Sequence, residues 1–303
     1  MFPVTALSAP LSPADTPLLP CLNPATVTGL DMEDFLYLAA GASFRTVELS
    51  IQQVIAYGPA KTAALLTELG LSVAAASGIV PAGPVLPAPL LITTDAYVAT
   101  LADLPERLAA FQTIGCRVAT VLLNPRTGGD SHAAIATAVG RLRVLADAAA
   151  DHGVRLAVEA VGVRAGLDAC LEGPHEVAST LPRLAELLEQ VGRDDVGVCV
   201  DSFHWAATGA DPAHLTELAP LPIGHVQVAD IPARLPPSRW TDAMRLFPSE
   251  GAMDWAPFVQ ALEAAGYRGP LSVELFNPEL RLLPEDEIAK RAYTAARTVA
   301  GIL

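Results

Sequence analysis

Apolar residues fall into two alternating patterns along the chain. Short unbroken runs such as RVATVLL and VGVCVD lack the polar alternation of a half-exposed strand, so they read as strands buried on both faces. Between them lie Ala/Leu-rich stretches with apolar positions three and four apart, the spacing of amphipathic helices. This predicts strands at 19–23, 45–50, 72–77, 117–123, 154–160, 196–201, 223–229 and 271–276. Helices are predicted near 31–42, 58–69, 95–114, 132–152, 175–192, 211–218, 254–265 and 284–302. Gly41, Gly70, Gly115, Gly153 and Gly266 stand where helices would end. Asp31, Asp254 and the Pro284-Glu285-Asp286 segment look like helix openings.

Eight strands alternating with eight helices point to an α/β protein of one domain, a (β/α)8 TIM barrel. A doubly wound sheet is the competitor. It would normally place a Gly-rich phosphate loop after the first strand, and CLNPATVTG is not one. The expected organisation is a Pro-rich leader at 1–18 and the barrel at 19–303. The segments 79–93 and 230–253 are long for connections and follow strands, on the side where a barrel builds its active site.

Four polar residues end apolar runs in the second half: Glu159, Asp201, Gln227 and Glu274. A charge at the end of a buried strand costs free energy unless something pairs with it. One shared divalent cation would pair with all of them, and their spacings of 42, 26 and 47 residues suit consecutive strand–helix units. Carboxylate and amide oxygens are hard ligands, so Mn²⁺, Mg²⁺ or Co²⁺ is expected rather than structural zinc. Such an ion can polarise a substrate carbonyl and stabilise an enediolate. Glu159 and Glu274, entering from different sides, could exchange a proton with a carbon between them. Taken singly, each carboxylate could instead be a barrel-end ion pair or a helix cap.

His204 follows Asp201 by three residues in DSFHW, beside the expected metal, where it could donate to a substrate oxygen or merely cap the rim. His225 shares a strand face with Gln227, which makes it a substrate contact or a satisfied core histidine. In the 230–253 segment Arg245 is the candidate contact for an anionic or hydroxylated substrate group; Arg234 and Arg239 are weaker ones, and Glu250 and Gly251 shape a turn. Glu48 ends the second strand, as a substrate hydrogen-bonder or an ion-pair partner. Asn23 and Asn124 end strands and could reach sugar hydroxyls or act as turn residues. His132, His152, His175 and His214 read as surface.

The net charge of −14 argues against a duplex nucleic-acid partner, whose phosphates need a Lys/Arg face. No run has the length and flanks of a membrane span, and the N-terminus lacks a signal-peptide pattern, so a cytoplasmic protein is expected. Cys21, Cys116, Cys170 and Cys199 make no CxxC pair and read as free thiols.

VRLAVEA, VGVCVDSFHW, HVQVADIP and RLFPSEGAMDWAPFVQALEAAGYRGPLSVELFNPEL resemble the xylose isomerase-like TIM-barrel superfamily. Its members include ketose 3-epimerases, hydroxypyruvate isomerase, inosose dehydratase and 3-dehydroshikimate dehydratase. The similarity is close from about 154 to 290 and looser from 19 to 124. The resemblance implies metal ligands at Glu159, Asp201, Gln227 and Glu274, with His204, His225 and Arg245 at the substrate. It implies a small sugar-like substrate, and family members often dimerise or tetramerise. The third ligand is His in the epimerases; Gln227 is similar to the hydroxypyruvate isomerase and dehydratase branches. Val161 departs from the His that dehydroshikimate dehydratases of this type carry two residues after the first Glu. The expectation is a metal-dependent isomerase or epimerase working through an enediolate, with a dehydratase on the same site as the alternative. An abasic-site endonuclease and a non-catalytic sugar-binding barrel are the remaining readings; few histidines and the negative charge oppose the first.

Overall fold

The computed structural model describes residues 18–83, 87–167 and 171–301. Nearly all of the expected leader, and Cys170, lie outside those residues.

The chain runs β1 (Pro20–Leu22), α1 (Met32–Gly41), β2 (Thr46–Ser50), α2 (Ile51–Tyr57), α3 (Pro59–Leu69) and β3 (Ser72–Ser77). It continues through α4 (Thr94–Ala102), α5 (Leu104–Thr113), β4 (Val118–Leu123), β5 (Arg126–Thr127), α6 (Ser131–Ala150) and β6 (Arg155–Ala160). Then come β7 (His175–Glu176), α7 (Leu181–Val191), β8 (Val196–Asp201), α8 (Ser202–Ala207) and α9 (Ala213–Thr216). The last elements are β9 (Ile223–Val228), α10 (Trp255–Ala264), β10 (Leu271–Val273) and α11 (Glu285–Ala300). Among the described residues, eight parallel strands close in the order β1-β10-β9-β8-β6-β4-β3-β2. The TIM barrel expected from the alternation of patterns is therefore the observed architecture, and β5 and β7 form a small antiparallel ribbon beside it.

Burial explains the uninterrupted apolar strands. Every residue of β2 and of β8 is buried, between the barrel interior and the helical ring. Helix α7 shows the complementary pattern: Leu181, Leu184, Leu187, Leu188 and Val191 line its inner face. Removing each such side chain from water contributes about 1.5–3 kcal/mol. Asp31 caps α1 by accepting from Asp34 N at 2.9 Å, and Glu285, Asp286 and Glu287 complement the dipole at the start of α11.

Several boundaries differ from expectation for local reasons. The helix expected at 95–114 breaks at Asp103, because Pro105 has no N–H to continue the ladder. Helix α7 starts at Leu181 rather than near 175, with Thr180 as its cap; His175 and Glu176 pair with β5 instead. Helices α2 and α8 follow their strands with no connecting loop and were not anticipated. No helix among the described residues is long and apolar enough to cross a membrane.

Both long connections are tied down. In 79–93, Arg107 donates to Ile79 O at 3.2 Å, and Arg141 donates to Leu90 O and Ile92 O at 2.8 and 2.7 Å. Asn124 accepts from Leu91 N at 2.7 Å, a bond that holds this connection from the end of β4. In 230–253, fully buried Asp230 accepts from Ile231 N, Met253 N, Ser249 N and Trp255 Nε1 at 2.8–2.9 Å. Gly251 sits so close that a Cβ there would lie 2.3 Å from Ile231 O, which explains the glycine.

Candidate active site

Strand register brings the candidate residues to one level. Asp201 lies opposite Gln227, and Cys199 opposite both Glu159 and His225. Glu274 follows directly after β10. Asp201 explains the position of His204. It is the N-cap of α8, and its Oδ1 accepts from His204 N at 2.9 Å, which fixes the first turn and the imidazole on it. Loop 161–167 packs against that turn so closely that a Cβ on Gly162 would lie 2.2 Å from His204 O.

Two connected polar groups fill the mouth. In the first, Glu159, Asp201 and His204 place one ligand-type atom each within 4.8 Å of one another. His204 Nε2 lies 3.5 Å from Glu159 Oε1, while His204 Nδ1 is buried with no hydrogen-bond partner among the described residues. In the second, Glu48 accepts from Asn23 Nδ2, Ser272 Oγ and Gln227 Nε2, and pairs with His225 Nε2 at 2.9 Å. Asn23 Nδ2 and Gln227 Nε2 each also donate to Glu274 Oε1 at 2.9 Å.

Arg245 joins the two groups. Its Nη1 lies 2.5 Å from Asp201 Oδ2 and 3.5 Å from Glu274 Oε2. Its Nε and Nη2 reach Asp242 Oδ1 at 2.9 and 2.8 Å, and Nη2 lies 3.3 Å from His204 Nε2. The rings of Phe203 and Phe276 sit 5.0 and 5.2 Å from the guanidinium carbon. A cavity of about 30 Å³ opens over Glu159, Gln227 and Glu274.

The electrostatics follow from burying acids together. Burial pushes the Glu159 carboxyl well above the usual range, and Asp201 adds to this. Burial does the same to Glu274, against the pull of Arg245, with Glu159 and Glu48 raising it further. Burial also works on Asp201, but Arg245 and His204 outweigh it and hold that carboxyl below its ordinary value. Burial lowers the His204 imidazole, so the neutral ring is favoured.

The structure thus brings Asn23, Glu48, Glu159, Asp201, His204, His225, Gln227, Arg245 and Glu274 into one cluster. Two of these, Arg245 and Gln227, are placed otherwise than expected, and His225 takes the satisfied-core role that was one of its two expected ones. Arg245 is 1 % exposed, and its N–H groups meet carboxylates and an imidazole rather than open space. His225 is taken up by Glu48 beneath the cavity. Gln227 turns its amide nitrogen, not its oxygen, to Glu48 and Glu274; the oxygen lies 3.5 Å from Cys199 Sγ. Arg234 and Arg239 are exposed and outside the cluster. Asp242 and Ser272 were missed. The acid three residues before Arg245 was the available signal for the first; Ser272 carried none beyond its place in an apolar run.

A closed parallel barrel with buried acids converging at the C-terminal ends of its strands defines the class of (β/α)8 barrels with a polar mouth. A family model described as xylose isomerase-like TIM barrel matches residues 36–298, and the chain belongs to that family. A 3-dehydroshikimate dehydratase of Pseudomonas putida is 36 % identical over 124 residues, 41 % of this chain and 19 % of that protein. An inosose isomerase of Halalkalibacterium halodurans is 31 % identical over 156 residues, 51 % of each chain. The chain therefore spans about half or less of these relatives. A solved xylose isomerase domain protein from Alicyclobacillus acidocaldarius superposes with a TM-score of 0.80 at 25 % identity, covering 94 % of this chain and 99 % of that one. The named relatives are enzymes of the isomerase and dehydratase type.

Proposed function

We propose that the protein is a divalent-metal-dependent isomerase or epimerase of a small sugar-like hydroxy-carbonyl compound. The observation that carries this reading is the convergence of Glu159, Asp201 and His204 within 4.8 Å, with the Glu274 carboxylate tied to the same cluster through Arg245. The donor set fits a hard cation: buried oxygens outnumber the one guanidinium, and a buried imidazole nitrogen has no partner among the described residues. Glu159, Asp201 and Glu274 would hold the ion, and Gln227 would join them once its amide turns to present the oxygen that now faces Cys199 Sγ. When bound, it would act as a Lewis acid on a chelated carbonyl and its neighbouring hydroxyl.

The chain's own groups supply the proton chemistry. Glu159 and Glu274 sit on well-separated strands of the barrel, so a substrate between them is flanked by two carboxyls whose proton affinity burial has raised. One takes the proton from the carbon next to the carbonyl; the other, or His204, returns one. Neutral His204 orients a substrate oxygen, while Asn23 holds Glu48 and Glu274 in place through its amide. Entry of a sugar-sized molecule requires the rim of Pro24, Ala25 and Pro87 to open, because the cavity now holds little more than water.

The test is exchange in D₂O with the metal-loaded protein and a panel of inosose, hydroxypyruvate and a ketohexose. Deuterium should enter at the carbon next to the carbonyl with no other change in mass. Glu159→Gln and Glu274→Gln should each lower exchange by at least about 100-fold; full activity in either refutes the mechanism. The 36 % identity to a 3-dehydroshikimate dehydratase favours a second reading, a lyase in which the same proton removal is followed by loss of the β-hydroxyl as water. Loss of water from the substrate would select it.

A further inference from the structure

We propose that Thr26 and Ser202 are positioning residues, whose hydroxyls hold the backbone carrying Glu274, Gln227 and Asp201 at the separation that one ion requires. The functional part of this inference rests on the metal-dependent reading above. The observation is how the barrel ladder stops at the mouth. Strand β1 ends at Leu22, and Pro24 opens a 3-10 turn over Pro24–Val27. Asn23 N still donates to Val273 O at 3.2 Å, but Asn23 O is taken by Thr26 N at 3.1 Å. In a parallel ladder that carbonyl would accept from Leu275 N. The Thr26 hydroxyl stands in for it: Oγ1 accepts from Leu275 N at 3.0 Å and donates to Val273 O at 2.8 Å. One side chain thus bonds the residues on both sides of Glu274.

Strand β8 stops in the same manner. Ser202 is the first residue of α8, so its backbone has left the ladder, and its hydroxyl continues the pairing. Ser202 Oγ donates to Ala229 O at 2.8 Å and accepts from Ala229 N at 2.9 Å. Ala229 lies two residues past Gln227, which the register sets opposite Asp201. Between the two clamps Glu274 N donates to Val228 O at 3.2 Å. One run of bonds therefore passes from Ser202 through the end of β9 to Glu274 and on to Thr26. It uses backbone groups and two hydroxyls, and none of the side-chain oxygens that an ion would claim. Both hydroxyls are buried, each spends its single proton on a backbone carbonyl, and neither lines the cavity over Glu159, Gln227 and Glu274. They are placed to act through the backbone, not on substrate. A hard divalent ion holds its oxygens within narrow distances, so a strand end that drifts weakens every ligand on it.

The experiment uses the full chain and three variants. Thr26→Val keeps the shape of the side chain and removes the hydroxyl, Thr26→Ser keeps the hydroxyl, and Ser202→Ala removes the second clamp. Mn²⁺ is titrated by calorimetry under conditions where each protein is folded, and urea midpoints are taken in EDTA. Thr26→Val and Ser202→Ala should each weaken Mn²⁺ binding by about tenfold or more, and Thr26→Ser should stay within about threefold of wild type. A role in stability alone would lower the midpoint and leave the Mn²⁺ dissociation constant unchanged. An unchanged constant in either hydroxyl-free variant overturns the proposal, and so does weakening in Thr26→Val that Thr26→Ser fails to restore. Should Thr26→Val not fold, Ser202→Ala decides by the same constant. If the wild type binds Mn²⁺ but exchanges no deuterium into any substrate, the isomerase reading is what fails, and the same constants still judge the clamp. If the wild type binds no Mn²⁺, the metal-dependent reading fails, and hydrogen exchange at the Glu274 and Leu275 amides decides. Thr26→Val should then quicken exchange there by at least about tenfold more than in α7, and an equal change in both places overturns the clamp.

Discussion

Replacing Asp230 by Ala should destabilise the protein more than any other single change in the 230–253 connection. The carboxylate is fully buried and accepts four hydrogen bonds of 2.8–2.9 Å, two on each oxygen. It ties the second residue past β9 to Ser249, Met253 and Trp255, and so closes the loop that carries Asp242 and Arg245. A hydrogen bond to a charged group contributes about 1.5–3 kcal/mol on its own. The four share one acceptor and do not add, and water entering the gap would satisfy some donors, so the expected loss is about 3–5 kcal/mol. Asp230→Asn keeps one acceptor oxygen and sets an NH₂ group against two N–H donors, for about half that loss. Urea unfolding followed by far-UV circular dichroism and tryptophan fluorescence measures both, with an unchanged m-value as the check for two-state behaviour. Hydrogen exchange at the Ser249 and Met253 amides separates local loosening of the loop from global loss. An Asp230→Ala protein within about 1 kcal/mol of wild type would refute the reasoning, since it would mean that four buried donors find equal partners elsewhere.

Gly162→Ala should push the α8 turn, because the added methyl would lie 2.2 Å from His204 O, and backbone cannot yield as a side-chain end does. Deuterium exchange should fall more steeply than the melting temperature; unchanged exchange would show that the turn moves freely. Stability of the metal-free protein should fall as pH rises from about 4.5 toward neutrality. Glu159 and Glu274 have folded-state values well above 4.5, so in that window the folded state binds more protons than the unfolded one. Asp201, held below 3.8, contributes stability that is lost only as pH falls through its folded value. His204, lowered from 6.5, opposes the trend as one group against two. Urea midpoints measured with EDTA at several pH values check the sign, and midpoints that rise across the window would overturn it. Added Mn²⁺ should reverse the decline, since it binds the ionised carboxylates.

The fold was legible because a two-face-buried strand leaves a simple trace. Runs such as VGVCVD and RVATVLL have no polar alternation, and each of the eight expected runs overlaps a barrel strand. Helix limits were less legible where one residue overrides periodicity, as Pro105 does between α4 and α5. Acids at strand ends were legible as a group: an isolated charge at the end of a buried strand needs partners, and the strand periodicity says where it ends. Their pairing was not. Strand register sets Asp201 opposite Gln227, but nothing in either run tells that Gln227 turns its nitrogen to Glu48 and Glu274. Asp242 left only a weak trace, an acid three residues before Arg245, because a loop has no period that tells whether its carboxylate folds back onto the guanidinium.

Arg245 is where the two kinds of information meet. From sequence it is a cation in a loop over an acidic mouth, which suggests a hand extended to the substrate. In the fold the acids claim it first. Asp201 and Asp242 flank it, Glu274 lies 3.5 Å away, and its charge stabilises the cluster that would otherwise repel itself. A guanidinium in that position would compete with the proposed divalent cation for the same oxygens. Binding of the proposed ion and the freedom of Arg245 would therefore be coupled, and reciprocally: whatever loosens Arg245 from Asp201 should tighten the ion, and the ion should loosen Arg245 by the same factor. Asp242, the partner of Arg245 outside the expected ligand set, would then limit how far the arginine moves on binding of the proposed ion.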